Sequence, residues 1–339
     1  MSTIQSGSPG GVGRPATRRE LFRPAWLGGL TALAVALIVS GAYLATDGPE
    51  RPPNSDQAVI GTPSPATAPP PTAARSTPPA RSPDTSTPPT PIDYWPGPDS
   101  TGVPPGTTLH NQSGTLNLRK AGQVITGLNL TGCVNVYASD VQILRSRITC
   151  NSTTFAVRVM NGASGLMLQD VEINGRGGTA VAVCCSDFTL DRANIYNTID
   201  GARLGNNTRV LNSYLHDLAR LPGTHNDSLQ TTGGSRILVQ HNRIETYNPQ
   251  LQDPFNSCLM VGSETAPALT DLLFTDNYCN GGNYSIGIRS DLVASDVRFI
   301  KNKYGRDYRY GVIARPSQPG ICFERSTNVW FDNGQPVLP

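Results

Sequence analysis

The chain has 339 residues, with 34 Gly, 29 Pro and a formal charge of 27 − 25 = +2. From residue 92 onward 20 Lys+Arg meet 20 Asp+Glu, so that part is neutral and lacks the basic footprint of a nucleic-acid binder. The excess sits in the first 91 residues, with 7 Arg against 5 acids.

Arg14, Arg18, Arg19 and Arg23 mark residues 1–24 as a basic tail. Residues 25–45 carry no charge. About 21 residues at a helical rise make roughly 30 Å, one bilayer core. Trp26 and Tyr43 stand near its two ends, where amphipathic aromatics favour the interface. The pattern predicts a transmembrane signal-anchor. The tail is then cytoplasmic and the rest lies outside the plasma membrane, a single-pass type II arrangement. The alternative is a signal peptide cleaved near residue 45, which leaves a secreted protein.

Of the prolines, 14 fall between Pro49 and Pro91, and 8 follow residue 106. Residues 46–91 are rich in Pro, Thr, Ser and Ala and hold almost no large apolar residue. They cannot bury enough surface to offset chain entropy, so a disordered, extended stalk is expected. The folded domain is expected at 92–339.

That domain repeats. One pattern recurs: apolar, any, apolar, polar, polar, any, any, apolar. It reads VQILRSRI (141–148), LMLQDVEI (166–173), FTLDRANI (188–195), TRVLNSYL (208–215) and ILVQHNRI (237–244). LLFTDNYC (272–279), VRFIKNKY (297–304) and VWFDNG (329–334) continue it. Between copies stands a second segment: FAVRV (155–159), TAVAV (179–183), DGARL (200–204), DSLQT (227–231), SCLMV (257–261), YSIGI (284–288) and YGVIA (310–314). Period-2 alternation makes both segments strands. The second segments start 24, 21, 27, 30, 27 and 26 residues apart. Two or three strands per 20–30 residues, with no helix between them, predict an all-β solenoid of about eight coils. Asn242, Asn277 and Asn302 recur at one turn, as a stacked ladder would require.

The repeat, the Asn turn, the segment WPGPDSTGVPPGTTL (95–109) and HNDSLQ (225–230) resemble the right-handed parallel β-helix, pectate-lyase-like superfamily, in particular its exported actinobacterial members. The resemblance covers roughly residues 95–335. It implies the fold. The superfamily holds lyases, hydrolases, epimerases, tailspikes and adhesins, so fold alone does not deliver activity. Its lyases use calcium-binding acids and a basic residue, which have no one-to-one counterparts here. Of the polygalacturonase motifs, only a partial echo of N-T-D stands at 225–227. Calcium stays open as a cofactor, with no motif to hold it.

Positions three and five of the second strand are apolar and expected to point inward. Position four then points out and reads Arg158, Ala182, Arg203, Gln230, Met260, Gly287 and Ile313, with Arg289 and Arg315 just past the strand. Such an arginine stripe suits a polyanion, because guanidinium forks match carboxylates; ordinary solvated arginine is the plain alternative. Position one reads Phe155, Thr179, Asp200, Asp227, Ser257, Tyr284 and Tyr310. Asp200 and Asp227 would sit in neighbouring coils, as an acid–base pair or as turn caps. Tyr284 and Tyr310 offer flat faces to sugar rings. His216 and His225 lie close by in sequence. His225 is a candidate base with Asp200 and Asp227, and His216 a substrate contact beside Arg203 and Gln230. Their spacing matches no metal motif. Seven cysteines show no CxxC. Cys133 and Cys150 end consecutive coils and are candidates for a bridge, as are Cys258 and Cys279.

Two functions follow as expectations. The first is an enzyme on an extracellular acidic polysaccharide, a lyase or epimerase ahead of a hydrolase. The second is a non-catalytic glycan-binding or surface-display module. The expected partners are an acidic polysaccharide or cell-surface glycan and, through residues 25–45, the membrane; no nucleic acid is expected.

Overall fold

The computed structural model describes residues 91–338. The basic tail, the apolar run at 25–45 and the proline-rich stretch up to residue 90 lie outside the described residues. Among the described residues no helix is long and apolar enough to cross a membrane.

The strands stack in parallel into a 17-stranded and a nine-stranded sheet. One coil shows the plan. Gly234–Gln240 runs in the nine-stranded sheet, and Arg243–Glu245 and Ser257–Val261 follow in the other. Gly234–Gln240 pairs with Thr208–Leu211 of the coil before and Leu269–Thr275 of the coil after. The chain is therefore a parallel β-helix, each coil hydrogen-bonded to the next.

Alternation drives the winding. Ile143, Leu168, Leu190, Val210, Val239, Phe274 and Phe299 stand in register, one per coil, and all are fully buried. The two polar positions of the repeat make the corner that follows. Arg145, Asp170, Arg192, Asn212, His241, Asp276 and Lys301 hold φ between 46 and 59° there. Asn, Asp and His adopt that left-handed geometry more readily than most residues, which accounts for several of these choices.

The next residue turns into the core. In the later coils it is Asn242, Asn277, Asn302 and finally Asn328, all buried. Asn242 Nδ2 donates to Asn277 Oδ1 at 2.9 Å, Asn277 to Asn302 at 3.2 Å and Asn302 to Asn328 at 3.0 Å. Each amide also bonds main chain, as Asn277 Nδ2 does to Val239 O at 3.0 Å. The ladder thus satisfies corner groups that the strands leave unpaired.

Two parts of the repeat differ from the sequence expectation. The nine-stranded sheet gains Val124–Thr126 at one end and Ile321–Phe323 at the other. Val329–Trp330, expected as the last copy of the first strand, instead pairs with Lys303–Tyr304 in the larger sheet. The strand Ile321–Phe323 is short and carries Cys322 at its centre, so its alternation is faint.

The segment before the first coil runs along the outside of the helix. Trp95 is buried, donates Nε1–H to Asp276 O at 2.9 Å and packs on Tyr278 and Phe331. Further along, Gly102 N donates to Arg192 O at 2.9 Å, and His110–Ser113 then pairs with Leu128–Thr131. This strap ties the first coil to late ones.

Asn277→Ala removes a middle rung and orphans groups on Asn242 and Val239. A loss of about 2 kcal/mol in urea unfolding is expected, since a buried polar group left unpaired costs about 1–3 kcal/mol.

Candidate functional site

The candidate residues fall on strands of the larger sheet, with an irregularity that alternation does not show. Position two turns inward together with position three. Ala156, Ala182, Ser228, Cys258 and Ser285 are all fully buried. Ser228 Oγ meets Thr246 Oγ1 at 2.8 Å, and a Cβ on Gly201 would stand 2.8 Å from Leu215 Cδ2 in the core. Position one therefore joins position four on the outer face. Arg158 lies 5.2 Å over the Phe155 ring, and Arg203 Nη2 reaches Asp200 Oδ2 at 3.5 Å. A Cβ on Gly287 would meet Met260 Cε at 2.5 Å and Ser257 Oγ at 3.5 Å.

Strand register sets two outer columns. The first reads Phe155, Val181, Asp200, Asp227, Ser257, Tyr284 and Gly311. The second reads Arg158, Cys184, Arg203, Gln230, Met260, Gly287 and Ala314. Four positions are corrected. A register shift between Asn174 and Thr179 moves Val181 and Cys184 to where Thr179 and Ala182 were expected. Thr179 instead caps a corner, donating to Cys150 O at 2.8 Å. In the last coil the register falls one residue later than expected, so Gly311 and Ala314 replace Tyr310 and Ile313. Tyr310 still reaches the groove rim, exposed and 5.7 Å from the Tyr284 ring.

Asp200 and Asp227 occupy adjacent coils and are only 6% and 3% exposed. Asp200 Oδ1 accepts from the Asp227 backbone N–H at 3.2 Å. Asp227 Oδ1 accepts from Asn256 Nδ2 at 2.9 Å and from Ser257 Oγ. Burial pushes both carboxyls well above the usual carboxylate range. For Asp200 the Asp227 N–H and the Arg203 charge oppose that rise. For Asp227 the nearby Asp200 charge adds to it, against the Ser257 and Asn256 hydrogen bonds and Arg203. Both shifts favour a proton held within the pair.

Gln230 stands beside Arg203 in register, half-buried. The guanidinium Nε of Arg203 is buried with no hydrogen-bond partner. His225 is exposed and makes no hydrogen bond or ion pair among the described residues, so it is not drawn into the Asp pair. His216 belongs to a different face. It stacks on Tyr214 at 4.1 Å and spends its ring nitrogens on Asp217 at 2.7 Å and Asn194 at 2.8 Å. Burial holds it below the usual histidine range. Arg289 is bound to Asp291 and Glu264, and Arg315 Nη1 donates to Ile288 O, so both serve the turns after their strands.

Asn256 and Ser257 had no role in the sequence reading. A signal existed: Asn226, Asn256 and Asn283 each precede position one in consecutive coils. Asn283 Nδ2 donates to Asn256 Oδ1 at 3.2 Å, which orients the amide that holds Asp227. Asn226 bonds Ile199 O and Ala219 O and accepts from Arg220, pinning the loop beside the pair. Arg220 in turn lies 4.5 Å over Phe255 and binds Asp253 at 2.7 Å, joining two loops into a wall. Disulfides link Cys133 to Cys150, Cys258 to Cys279 and the neighbours Cys184 and Cys185; Cys322 is free and exposed. Among the described residues no group of three or more His, Cys, Asp or Glu is arranged to hold a metal ion.

A raised carboxyl pKa stabilises the fold below the ordinary aspartate range and loses that stabilisation as pH rises through the folded-state value. The wild-type chain should therefore lose stability toward alkaline pH, and Asp227→Asn should flatten that slope. The difference in unfolding free energy between variant and wild type is expected to grow by on the order of 1–3 kcal/mol from about pH 5 to about pH 8. Urea unfolding across that range checks it; parallel slopes contradict the shared proton.

No family model matches the chain, and no curated protein matches it. Among solved structures, a similarity of 9% identity and TM-score 0.27 is found to the tailspike protein gp49 from Acinetobacter baumannii bacteriophage Fri1, a capsular polysaccharide depolymerase. It covers 66% of this chain and 64% of that one, so the match spans less than two thirds of the tailspike chain.

Proposed function

We propose that this β-helix acts on an extracellular acidic polysaccharide, cleaving glycosidic bonds with Asp200 and Asp227. The observation that carries the reading is the buried carboxyl pair on the outer face, in adjacent coils and joined through the Asp227 N–H. Asp227 Oδ1 accepts two hydrogen bonds, so Oδ2 is the site for the proton. Asp227 then serves as general acid, giving that proton to the glycosidic oxygen as the bond to the sugar carbon breaks. Asp200, whose charge is favoured by a backbone N–H and Arg203, serves as nucleophile or activates the attacking water. Arg203, Gln230 and Arg158 hold the acidic chain, and Tyr284 and Tyr310 stack on rings further along.

Hydrolysis thus moves ahead of the lyase and epimerase chemistry favoured by sequence alone. The base read from sequence for those reactions was His225, and His225 stands exposed and unbound to the pair. If residues 25–45 anchor the chain, the domain works outside the plasma membrane on a tether.

The test incubates the full chain in mild detergent with hyaluronan, unsulfated chondroitin, pectin, alginate, glucuronan and neutral glycans. New reducing ends without the ultraviolet absorbance of an unsaturated uronate are expected. Asp227→Asn and Asp200→Asn should each lower the rate by about 10²–10⁴-fold. Absorbance that depends on Asp227 would make the enzyme a lyase. Binding with no cleavage on any glycan would leave the surface-display module as the function.

A further inference from the structure

The corrected second column is not a uniform arginine stripe. It carries cations only on one side of the Asp pair. Arg158 and Arg203 stand two coils apart, about 10 Å along the axis. Cys184 lies between them in register, fully buried and closed into a disulfide with Cys185, which is the exposed partner. That intervening position is uncharged and holds no donor suited to a carboxylate. On the other side come Met260, Gly287 and Ala314, with Tyr284 and Tyr310 beside them. Among the described residues neither Arg158 nor the Nε of Arg203 is committed. Arg158 has only its ring contact with Phe155, and Arg203 holds Asp200 at a long 3.5 Å.

A β-linked sugar chain laid along the axis advances close to one coil per sugar. Resting on the reading above, we infer that the groove recognises a polysaccharide with a carboxylate on every second sugar. The acid sugars meet Arg158 and Arg203, and the neutral sugar between them lies over the Cys184–Cys185 disulfide. On the far side the ring faces of the chain meet Met260 and the two tyrosines. A polymer acidic at every sugar would press a carboxylate onto the disulfide and another onto Met260, with no cation to offset its lost hydration. A neutral polymer would leave both guanidinium groups unused. The two-coil interval therefore sets both affinity and specificity.

The test uses the full-length Asp227→Asn protein, which should bind without cleaving. The probes are oligosaccharides of hyaluronan and unsulfated chondroitin, β-linked with an acid on every second sugar. Oligoglucuronate from glucuronan, also β-linked, carries one on each sugar, and cello-oligosaccharide carries none. At least one alternating probe is expected to bind about tenfold or more tighter than the other two classes. Adding Arg158→Ala, a change at an exposed side chain, should cut that affinity about tenfold and flatten its salt dependence. Adding Tyr310→Ala should weaken binding and leave the salt dependence alone. Oligoglucuronate bound as tightly as the alternating chains would overturn the inference, as would an Arg158→Ala protein with unchanged affinity. A neutral glycan bound best, and cleaved by wild type with Asp227 required, would overturn the spacing and leave the site standing. No glycan bound and none cleaved would remove both.

Discussion

Parallel pairing between successive coils fixes every side chain in a column with a spacing of about 4.8 Å. No residue of such a chain can choose its neighbours separately from the coil above and the coil below. The core uses this directly, because like stacks on like from Ile143 to Phe299. The same constraint brings Asp200 and Asp227 together. Once both stand at position one of adjacent coils, their carboxyls must share a small, dry space.

That arrangement opposes stability. Two buried carboxyls cannot both ionise cheaply, and the hydrogen bonds from Asn256, Ser257 and the Asp227 N–H only partly offset the lost hydration. The asparagine ladder shows what a purely structural solution looks like. There, neutral amides stack at the same spacing and close their bonds from rung to rung. Asn would satisfy the Asp200 and Asp227 positions without a charge conflict. Carboxyls at this one point, in a column otherwise filled by neutral groups, fit a chemical role better than a corner cap.

The fold was legible because a solenoid writes its period into sequence. Alternation at 141–148 and its copies named the strands, and the recurring asparagines named the corner. The pairing of Asp200 with Asp227 was legible for the same reason, since it needed only coil spacing. Facing was not. Alternation predicts position one inward with position three, but position two also turns in, where Gly201 has no room for a side chain. Register departed from the expected one by two residues at Thr179 and by one at Tyr310. His216 and His225 looked like one cluster because sequence distance was short. In the coil they fall on opposite sides of a loop, one locked between Tyr214 and Asn194 and the other in solvent.

These corrections change what the outer face means. A stripe read from sequence is a sum of charges, and a sum favours any polyanion. A column read in register is an ordered pattern, with cation, disulfide, cation, amide and then thioether and small residues. Arg289 and Arg315 drop out because the turns already bind them. The two arginines that remain stand on strands whose register fixes their backbone interval at two coils. Rigid stacking, which forces the carboxyls together, thus also fixes the order and spacing of the few charges along that face.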